Sequence, residues 1–428
     1  MITRYLLAIL LTLSVSLGLA AQVTIEQCVN LAQENYPLIK KYNLLNSLNE
    51  INLSDINKSW LPQISVYAQG NVQNATPSFP DRLSGMLKQM GTDISGLNEW
   101  QYKIGADLNQ TIWDGGSSKA RREIERTQHA EKQAALDVQL YAVKERVENL
   151  FFGILLIDEQ AKQIRASIDL LQDNLQKLRS MLKNGIAMQC DADMVEAQYL
   201  ATSQQLIQAR SMAESYRRLL EIYIGESLAG RELIMPDAVI PGDLVPNRPE
   251  QKLFNAQLLA NDALRNNITS SIMPQIGLFA QAYYGYPGYD YFENMMNRNP
   301  SFNILAGVKI SWNIGAFYTK KNSNQKLKLA AGEISADRET FLFNTSLETQ
   351  SQVDNINELK AVIKEDGRIV ELRANVRRAA ESQLDNGTID ATALLTKITD
   401  EKQARLNAVY HEIQLLQSIY KLKHTVNK

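Results

Sequence analysis

The sequence contains few residues that interrupt helices and few cysteines that could cross-link the fold. Its 428 residues include only 11 prolines, 21 glycines, 2 cysteines and 3 histidines. So few prolines and glycines predict long uninterrupted elements. Two cysteines are too few for a disulfide framework, and the sequence leaves open whether Cys28 and Cys190 pair. We expect both to be small buried side chains.

An excess of charge of either sign is also absent, as are recognisable catalytic motifs. The formal net charge is −2, so the sequence offers no basic surface and we expect no nucleic-acid partner. His411 begins a zincin-like HEIQL stretch, but Leu415 stands where the second histidine belongs. With no glycine-rich phosphate loop and no nucleophile elbow, we expect no enzyme, no cofactor and no metal site.

A long hydrophobic run occurs only at the N terminus. Arg4 precedes an apolar run that continues to Leu19, and small residues stand before a cleavage point after Ala20. This pattern assigns residues 1–20 to a signal peptide and predicts an exported chain. The most apolar later stretch, residues 149–158, is too short for a spanning helix, which needs about 20 residues. Any later segment that crosses a membrane must therefore be a strand.

A helical heptad pattern dominates the first half of the chain. Residues 114–184 contain no proline and, after Gly115 and Gly116, only one further glycine, and apolar residues recur there at steps of four and three. This pattern predicts a coiled-coil helix of about 70 residues and roughly 105 Å. A turn at Gly185 and a second heptad run from Asp191 then predict an antiparallel helical hairpin.

The same arrangement recurs further along the chain. LNQTI at Leu108 is matched by ISWNI at Ile310, and Gly185 is matched by Gly387, both at a spacing of 202 residues. This spacing predicts an internal duplication. We divide the chain into a first repeat at 21–225, a proline-rich linker at 226–250 and a second repeat at 251–428.

Each repeat contains two segments of about ten residues whose side chains alternate between apolar and polar. They cover residues 61–73, 102–112, 276–284 and 304–314. One apolar and one polar face are what an outer-membrane barrel requires, although a small sandwich could also bury such a face. Because bacterial barrels begin at about 8 strands, several chains would have to share one barrel.

This order of elements resembles the TolC-like outer-membrane efflux protein family. The resemblance is carried by strand starts at Pro62 and Pro274, by IWDGG at Ile112, and by the turns NGIAMQCD and NGTID. It implies a mainly α fold with β: long antiparallel coiled-coil hairpins form a periplasmic α-barrel, and four strands per chain contribute to a trimeric 12-stranded outer-membrane β-barrel.

The function implied by the resemblance is an outer-membrane channel of a tripartite efflux or type I secretion system. The implied partners are two further copies of the chain, a periplasmic adaptor, an inner-membrane transporter and outer-membrane lipid. The alternative is an exported coiled-coil binding or structural protein that never enters the membrane. The sequence identifies neither the cargo nor the class of pump.

Two departures from the family pattern stand in the second repeat. SWNIGAFY, at Ser311, lacks the Asp-Gly-Gly of the first strand-to-helix passage. Ala393 stands where the family usually has an aspartate at the hairpin tip.

The resemblance also implies a periplasmic gate and an adaptor-docking surface at the hairpin tips. The candidate residues are Asn184, Gly185, Asp191, Asp385, Asn386, Gly387, Thr388 and Asp390. Asp385 and Asp390 of three chains would form a narrow acidic mouth. Alternatively, Asp385 ends one helix and Asp390 caps the next.

A hinge candidate lies in the second long helix. The heptad seam of Ile356, Leu359 and Ile363 resumes at Ile369, which leaves Asp366 and Gly367 in the gap. The break predicts a local change of supercoil. It is either a bend that lets the lower hairpin swing or a harmless solvated interruption.

Overall fold

The described structure is mainly helical. A computed structural model describes residues 22–94 and 96–428, so the predicted signal peptide at 1–20 lies outside the described residues. The helices are α1 (Ile25–Asn35), α2 (Ile39–Lys58), α3 (Asp81–Gln89), α4 (Ser117–Lys183), α5 (Gln189–Ile224), α6 (Pro249–Ser271), α7 (Tyr291–Asn297), α8 (Ala316–Asp385) and α9 (Ala391–Val426). The strands are β1 (Gln63–Val72), β2 (Trp100–Trp113), β3 (Gln275–Tyr286) and β4 (Ser301–Ser311). Of the helices described, none combines the length and the apolar character needed to cross a bilayer.

Both predicted long hairpins are present. In the first, α4 has 67 residues and α5 has 36; in the second, α8 has 70 residues and α9 has 36. Both repeats also place a helix before the first strand and a short helix between the strands. The duplication seen in the sequence is therefore visible as a repeated order of elements.

The IWDGG motif forms the passage from β2 to α4. The Asp114 carboxylate accepts hydrogen bonds from the backbone N–H groups of Gly116, at 2.9 Å, and of Ser118, at 2.5 Å, and so satisfies donors at the start of the helix. Gly115 has a φ of +69°, and a Cβ there would lie 2.6 Å from Cβ of Met273. The motif therefore combines a cap with a close approach to the segment that leads into β3.

The second passage, from β4 to α8, shares a backbone anchor with the first. The Trp312 indole Nε1 donates a hydrogen bond of 2.9 Å to the carbonyl oxygen of Ile272. Gln110, 202 residues earlier, donates the matching bond of 2.7 Å to the carbonyl oxygen of Trp60. The anchor is therefore common to both repeats, and the capping by Asp114 is what distinguishes the first passage.

All four strands form one antiparallel sheet in the order β1-β2-β3-β4. The register keeps the apolar side chains on one face, because Val66 pairs with Ala106, Ala106 with Ala282 and Ala282 with Ile304. A bulge between Thr111 and Trp113 shifts the register near the end of β2. The predicted strands are therefore confirmed, with bounds that differ by a few residues.

The chain divides into two compact units that cut across the repeats. One unit contains the chain up to Asn43 with residues 133–253 and 336–428, and the other contains residues 44–132 with 254–335. The second unit holds the sheet, and the first holds both hairpin turns. The proposed boundaries of the repeats and linker at 225, 226, 250 and 251 stay predictions.

The first unit has its main core around adjacent phenylalanines of α4. Phe151 and Phe152 are fully buried, and side chains from α1, α5 and α9 pack around them. Cys28 of α1 lies in this cluster, as predicted. The prediction for Cys190 is wrong: it lies exposed in the first turn of α5, and the buried side chains near it are Ala192 and Val195. The two thiols are not bonded to each other.

Candidate functional site: hairpin tips and the two-faced sheet

The hairpin tips, defined as residues 183–191 and 385–393, have the same backbone geometry. Gly185 and Gly387 adopt left-handed φ values of +72° and +69°. The N–H of Ile186 donates to Met181, and the N–H of Thr388 donates to Gln383, both at 2.9 Å. These bonds satisfy carbonyls at the helix ends, so both turns close by the same device.

Each tip has one aspartate that caps the start of the following helix, but the two aspartates occupy different positions. In the first tip, the Asp191 carboxylate accepts a hydrogen bond of 3.0 Å from the N–H of Met188. In the second tip, Asp390 precedes α9 and its carboxylate accepts from the N–H of Ala393 at 2.8 Å. Each tip thus keeps one aspartate, at opposite ends of the same three-residue span. This explains how α9 begins without an aspartate at position 393.

Both tips belong to one packed end of the first unit. A cluster of buried apolar side chains joins all four hairpin helices there: Leu171, Leu175, Leu178, Ala192, Val195, Ala380, Leu384, Ala391, Leu394 and Ile398. Lys177 of α4 lies 3.5 Å from the Asp385 carboxylate, which remains about half exposed. This cation offsets the unfavourable position of Asp385 at a helix C-terminus.

The predicted tip residues therefore divide into two groups. Asp191 and Asp390 serve as helix-start acceptors, and Asp385 has a lysine partner. Asn184, Gly185, Asn386, Gly387 and Thr388 are exposed residues of the turns. The structure brings all eight candidates to the same end of the unit. Their roles in a gate or in adaptor docking stay predictions.

A buried ion-pair network above the second tip was missed in the sequence. Glu401 of α9 is 5% exposed and accepts hydrogen bonds from Arg405, at 2.7 Å, and from Arg377 of α8. Burial alone would raise the pKa of Glu401, but the bonds from Arg405 and Arg377 lower it. The spacing of Glu401 and Arg405 by four residues was visible, whereas the partnership with Arg377 requires the register of the hairpin.

The hinge candidate has a partner that the sequence did not reveal. Helix α8 is continuous through residues 366 and 367, and the Asp366 carboxylate is buried 2.7 Å from Nδ1 of His411. Ile369, by contrast, is 46% exposed. The side of α8 that packs on α9 therefore includes Asp366, so the interpretation that the seam resumes at Ile369 is wrong. Whether Asp366 and Gly367 act as a hinge stays a prediction.

The sheet presents a continuous apolar surface in the second unit. Val66 is 77% exposed, Val308 is 64% exposed and Ile310 is 69% exposed. Aromatic side chains lie near both ends of this face, with Trp100 and Phe302 at one end and Trp312 at the other. An apolar band between aromatic residues is typical of strands that face lipid.

The opposite face of the sheet is polar and carries its own hydrogen-bond network. Gln281 of β3 donates to Asp107 of β2 at 2.8 Å and to the hydroxyl of Tyr67 of β1 at 3.2 Å. The hydroxyl of Tyr289, in the loop after β3, donates to the side-chain oxygen Oε1 of Gln281 at 3.2 Å. This face can therefore line an aqueous space.

Comparisons with known proteins agree with this geometry. Residues 30–226 match the family model described as outer membrane efflux protein. Over this stretch, a little under half of its length, the chain is similar to the outer membrane efflux protein family. No curated protein sequence matches it.

Solved outer-membrane channels share the fold across nearly the whole chain. The outer-membrane channel OprN is 15% identical with a TM-score of 0.69, and the alignment covers 94% of this chain and 89% of OprN. VceC of Vibrio cholerae is 11% identical with a TM-score of 0.69, covering 94% and 95%. CmeC of Campylobacter jejuni is 14% identical with a TM-score of 0.67, covering 94% and 85%. At these identities the likeness establishes the fold, and this fold and family are those of channel proteins.

The family match and the shared fold together support an outer-membrane efflux channel with a helical periplasmic portion. The match covers most of the first repeat and ends at the first residue of the predicted linker, and the repeated elements at residues 249–426 extend the same architecture through the second. The resemblance recognised in the sequence is therefore confirmed.

Proposed function

We propose that three copies of this efflux channel form one conduit, which receives cargo from a periplasmic adaptor and an inner-membrane transporter. The observation that carries the proposal is the sheet, whose apolar face is exposed along all four strands. Lipid would cover this face, and water would fill the space along the polar face. Both environments are needed to account for the alternation in every strand.

The edges of the sheet explain why one chain is insufficient. Among the described residues, β1 pairs only with β2 and β4 pairs only with β3. Backbone groups on the free edges cannot remain unpaired in lipid. Pairing β4 of one protomer with β1 of the next satisfies them, and three protomers close a barrel of twelve strands.

The tips supply the periplasmic entrance and the surface on which the adaptor docks. Their exposed turn residues, together with Asp385 and Asp390, are polar groups that this end of the first unit presents. Asp385 and Asp390 from three protomers would surround the entrance. Opening would then require the two packed hairpins to separate or slide at the cluster that joins them.

The conduit is tested by fractionation and by conductance. We expect the full chain in the outer-membrane fraction, extractable only with detergent, and we expect the extracted protein to form discrete channels in planar bilayers. Recovery of the chain as a soluble periplasmic protein without channel activity would instead support the exported coiled-coil alternative.

Adaptor docking can be tested with the natural cysteine at the first tip. Cys190 is exposed and Cys28 is fully buried, so a thiol-reactive photo-crosslinker should attach at Cys190. Illumination in cells should link the channel to a periplasmic protein that co-purifies with an inner-membrane transporter. The Cys190→Ser variant is the control. Absence of any such link from active channels would contradict docking at this tip.

A further inference from the structure

A lysine on the polar face of the sheet is held between two tyrosines. Nζ of Lys103 lies 5.5 Å from the centroid of the Tyr67 ring and 5.6 Å from that of the Tyr283 ring. Both distances are within the range of a cation–π interaction. Because the three residues come from β2, β1 and β3, the arrangement depends on the strand register.

The register explains how the lysine fits between the rings. Tyr67 pairs with Gly105, and Gly105 pairs with Tyr283, so the glycine separates the tyrosines in one row of the sheet. Lys103 is two residues away on the same face of the same strand. A Cβ on Gly105 would lie only 2.6 Å from Cβ of Tyr283. The absence of a side chain there leaves the space between the rings open to the ammonium group.

The rings are themselves held in place. Tyr67 accepts a hydrogen bond from Gln281, and the Tyr283 hydroxyl donates to the carbonyl oxygen of Pro287 at 3.2 Å. Tyr289 packs edge-on against Tyr283, with ring centroids 5.3 Å apart. These contacts fix the rings on either side of Lys103. Less side-chain entropy is therefore lost when the ammonium group binds a ligand.

The charge on this face favours an anion. The four strands contain three charged residues, Lys103, Lys309 and Asp107, all on the polar face. Asp107 accepts its hydrogen bond from Gln281. Lys103 has no carboxylate at ion-pair distance among the residues that the structure describes. Its positive charge is thus left for a group in the lumen.

We propose that Lys103, between Tyr67 and Tyr283, is an anion-binding site on the lumenal wall of the barrel, and that it favours the passage of cargo carrying carboxylate or phosphate groups. The proposal rests on the proposed function, because it requires the polar face to line a conduit. Three protomers would place three such ammonium groups around the same opening. A polyanion could bridge them.

Block by inorganic triphosphate in planar bilayers tests the site. We expect triphosphate, added on the side of the barrel at low salt, to block the wild-type channel. Lys103→Gln should raise the half-blocking concentration by at least about tenfold, as expected when hydrogen bonds to a charged group are lost. Lys309→Gln is the matched control, because it removes the same charge from the same face without the tyrosine frame, and its effect should be smaller.

A second variant guards against a folding defect. Asp107→Asn removes the nearby negative charge and retains an acceptor for Gln281, so it should strengthen the block, a gain that misfolding cannot produce. Equal effects of Lys103→Gln and Lys309→Gln, or a block that Asp107→Asn leaves unchanged, would contradict the anion-binding site. Neither result would contradict the proposed channel function. Absence of any conductance would overturn the proposed function itself.

Discussion

At the scale of single residues, two buried ionisable groups in the first unit have opposite effects on how stability changes with pH. Glu148 of α4 is 5% exposed, and burial raises its pKa to about 7 from 4.5, although Lys144 lowers it. His424 of α9 is 6% exposed, and burial lowers its pKa to about 4 from 6.5, helped by Lys144 and Arg248. These shifts make the free energy of unfolding depend on pH in opposite directions.

The signs follow from which state holds the extra proton. Between pH 7 and 4.5, the folded state binds an additional proton at Glu148, so this residue adds stability as pH falls. Between pH 6.5 and 4, the unfolded state binds an additional proton at His424, so this residue removes stability as pH falls. Each contribution is about 3 kcal/mol per chain. The wild type should therefore show little net effect of these two groups from pH 6.5 to 4.5.

Substitution should uncover each contribution. We expect Glu148→Gln to lose about 2 kcal/mol relative to the wild type on acidification from pH 6.5 to 4.5, and His424→Gln to gain a similar amount. Thermal unfolding of detergent-solubilised protein, followed by circular dichroism across this range, measures the slopes. Parallel pH profiles for Glu148→Gln and the wild type would contradict the pKa of Glu148.

The hinge prediction also belongs to this scale. Gly367 is an exposed residue within continuous α8, and a Cβ there would meet nothing within 4 Å. We expect Gly367→Ala to stiffen the helix, by about 1 kcal/mol in local propensity, and to slow export without lowering the amount of assembled channel. Gly332→Ala is the matched control, because Gly332 is another open position in α8. If both variants export equally well, Gly367 is an ordinary helical residue.

At the scale of elements, the helical hairpins show how a duplicated design tolerates different sequences. The turns are built alike at Gly185 and Gly387, yet one helix start relies on Asp191 and the other on Asp390. Either position lets a carboxylate satisfy backbone donors that the first turn leaves free. The aspartates of the tips thus have a structural role in addition to the proposed role at the entrance.

The two roles can be separated because asparagine caps helices about as well as aspartate. We expect Asp385→Asn with Asp390→Asn to preserve α9 but to weaken block by hexamminecobalt(III) from the periplasmic side, by about tenfold at low salt. The effect should fade near 1 M salt, where the Debye length is about 3 Å. Bilayer recordings measure both quantities.

Asp390→Ala provides the contrast, since it removes both the cap and the charge and should cost about 1 kcal/mol of stability. If the double asparagine variant keeps the wild-type block and ion preference, the carboxylates at the tips act as structural groups only. The Lys177 partner of Asp385 makes Asp390 the larger contributor to the block.

At the scale of the whole molecule, the free strand edges predict the assembly. We expect native mass spectrometry of the detergent-extracted protein to give three chains per particle, because pairing β4 to β1 leaves no edge only when the ring closes. Val308→Pro, at the centre of edge strand β4, removes a backbone donor and should reduce trimer recovery. A stable monomer that still conducts would contradict the shared barrel.

Local periodicity in the sequence was enough to predict the helices, the strands and the internal repeat. Steps of three and four residues specified the hairpins, alternation specified four strands with their faces, and the 202-residue spacing of Gly185 and Gly387 specified the repeat. Each of these signals lies within one element or compares two copies of the same element. They could therefore be read along the chain, and the structure confirms the elements they describe.

Only the tertiary structure decided which side chains meet. Asp366 finds His411 across a hairpin, and Lys103 lies between tyrosines of two other strands. The sequence placed Asp366 in a gap of the seam and grouped Lys103 with the polar face, because periodicity gives the face on which a residue lies but not the register of its neighbour. Pairs of this kind depend on how antiparallel elements align, and a shift of one residue would replace every partner.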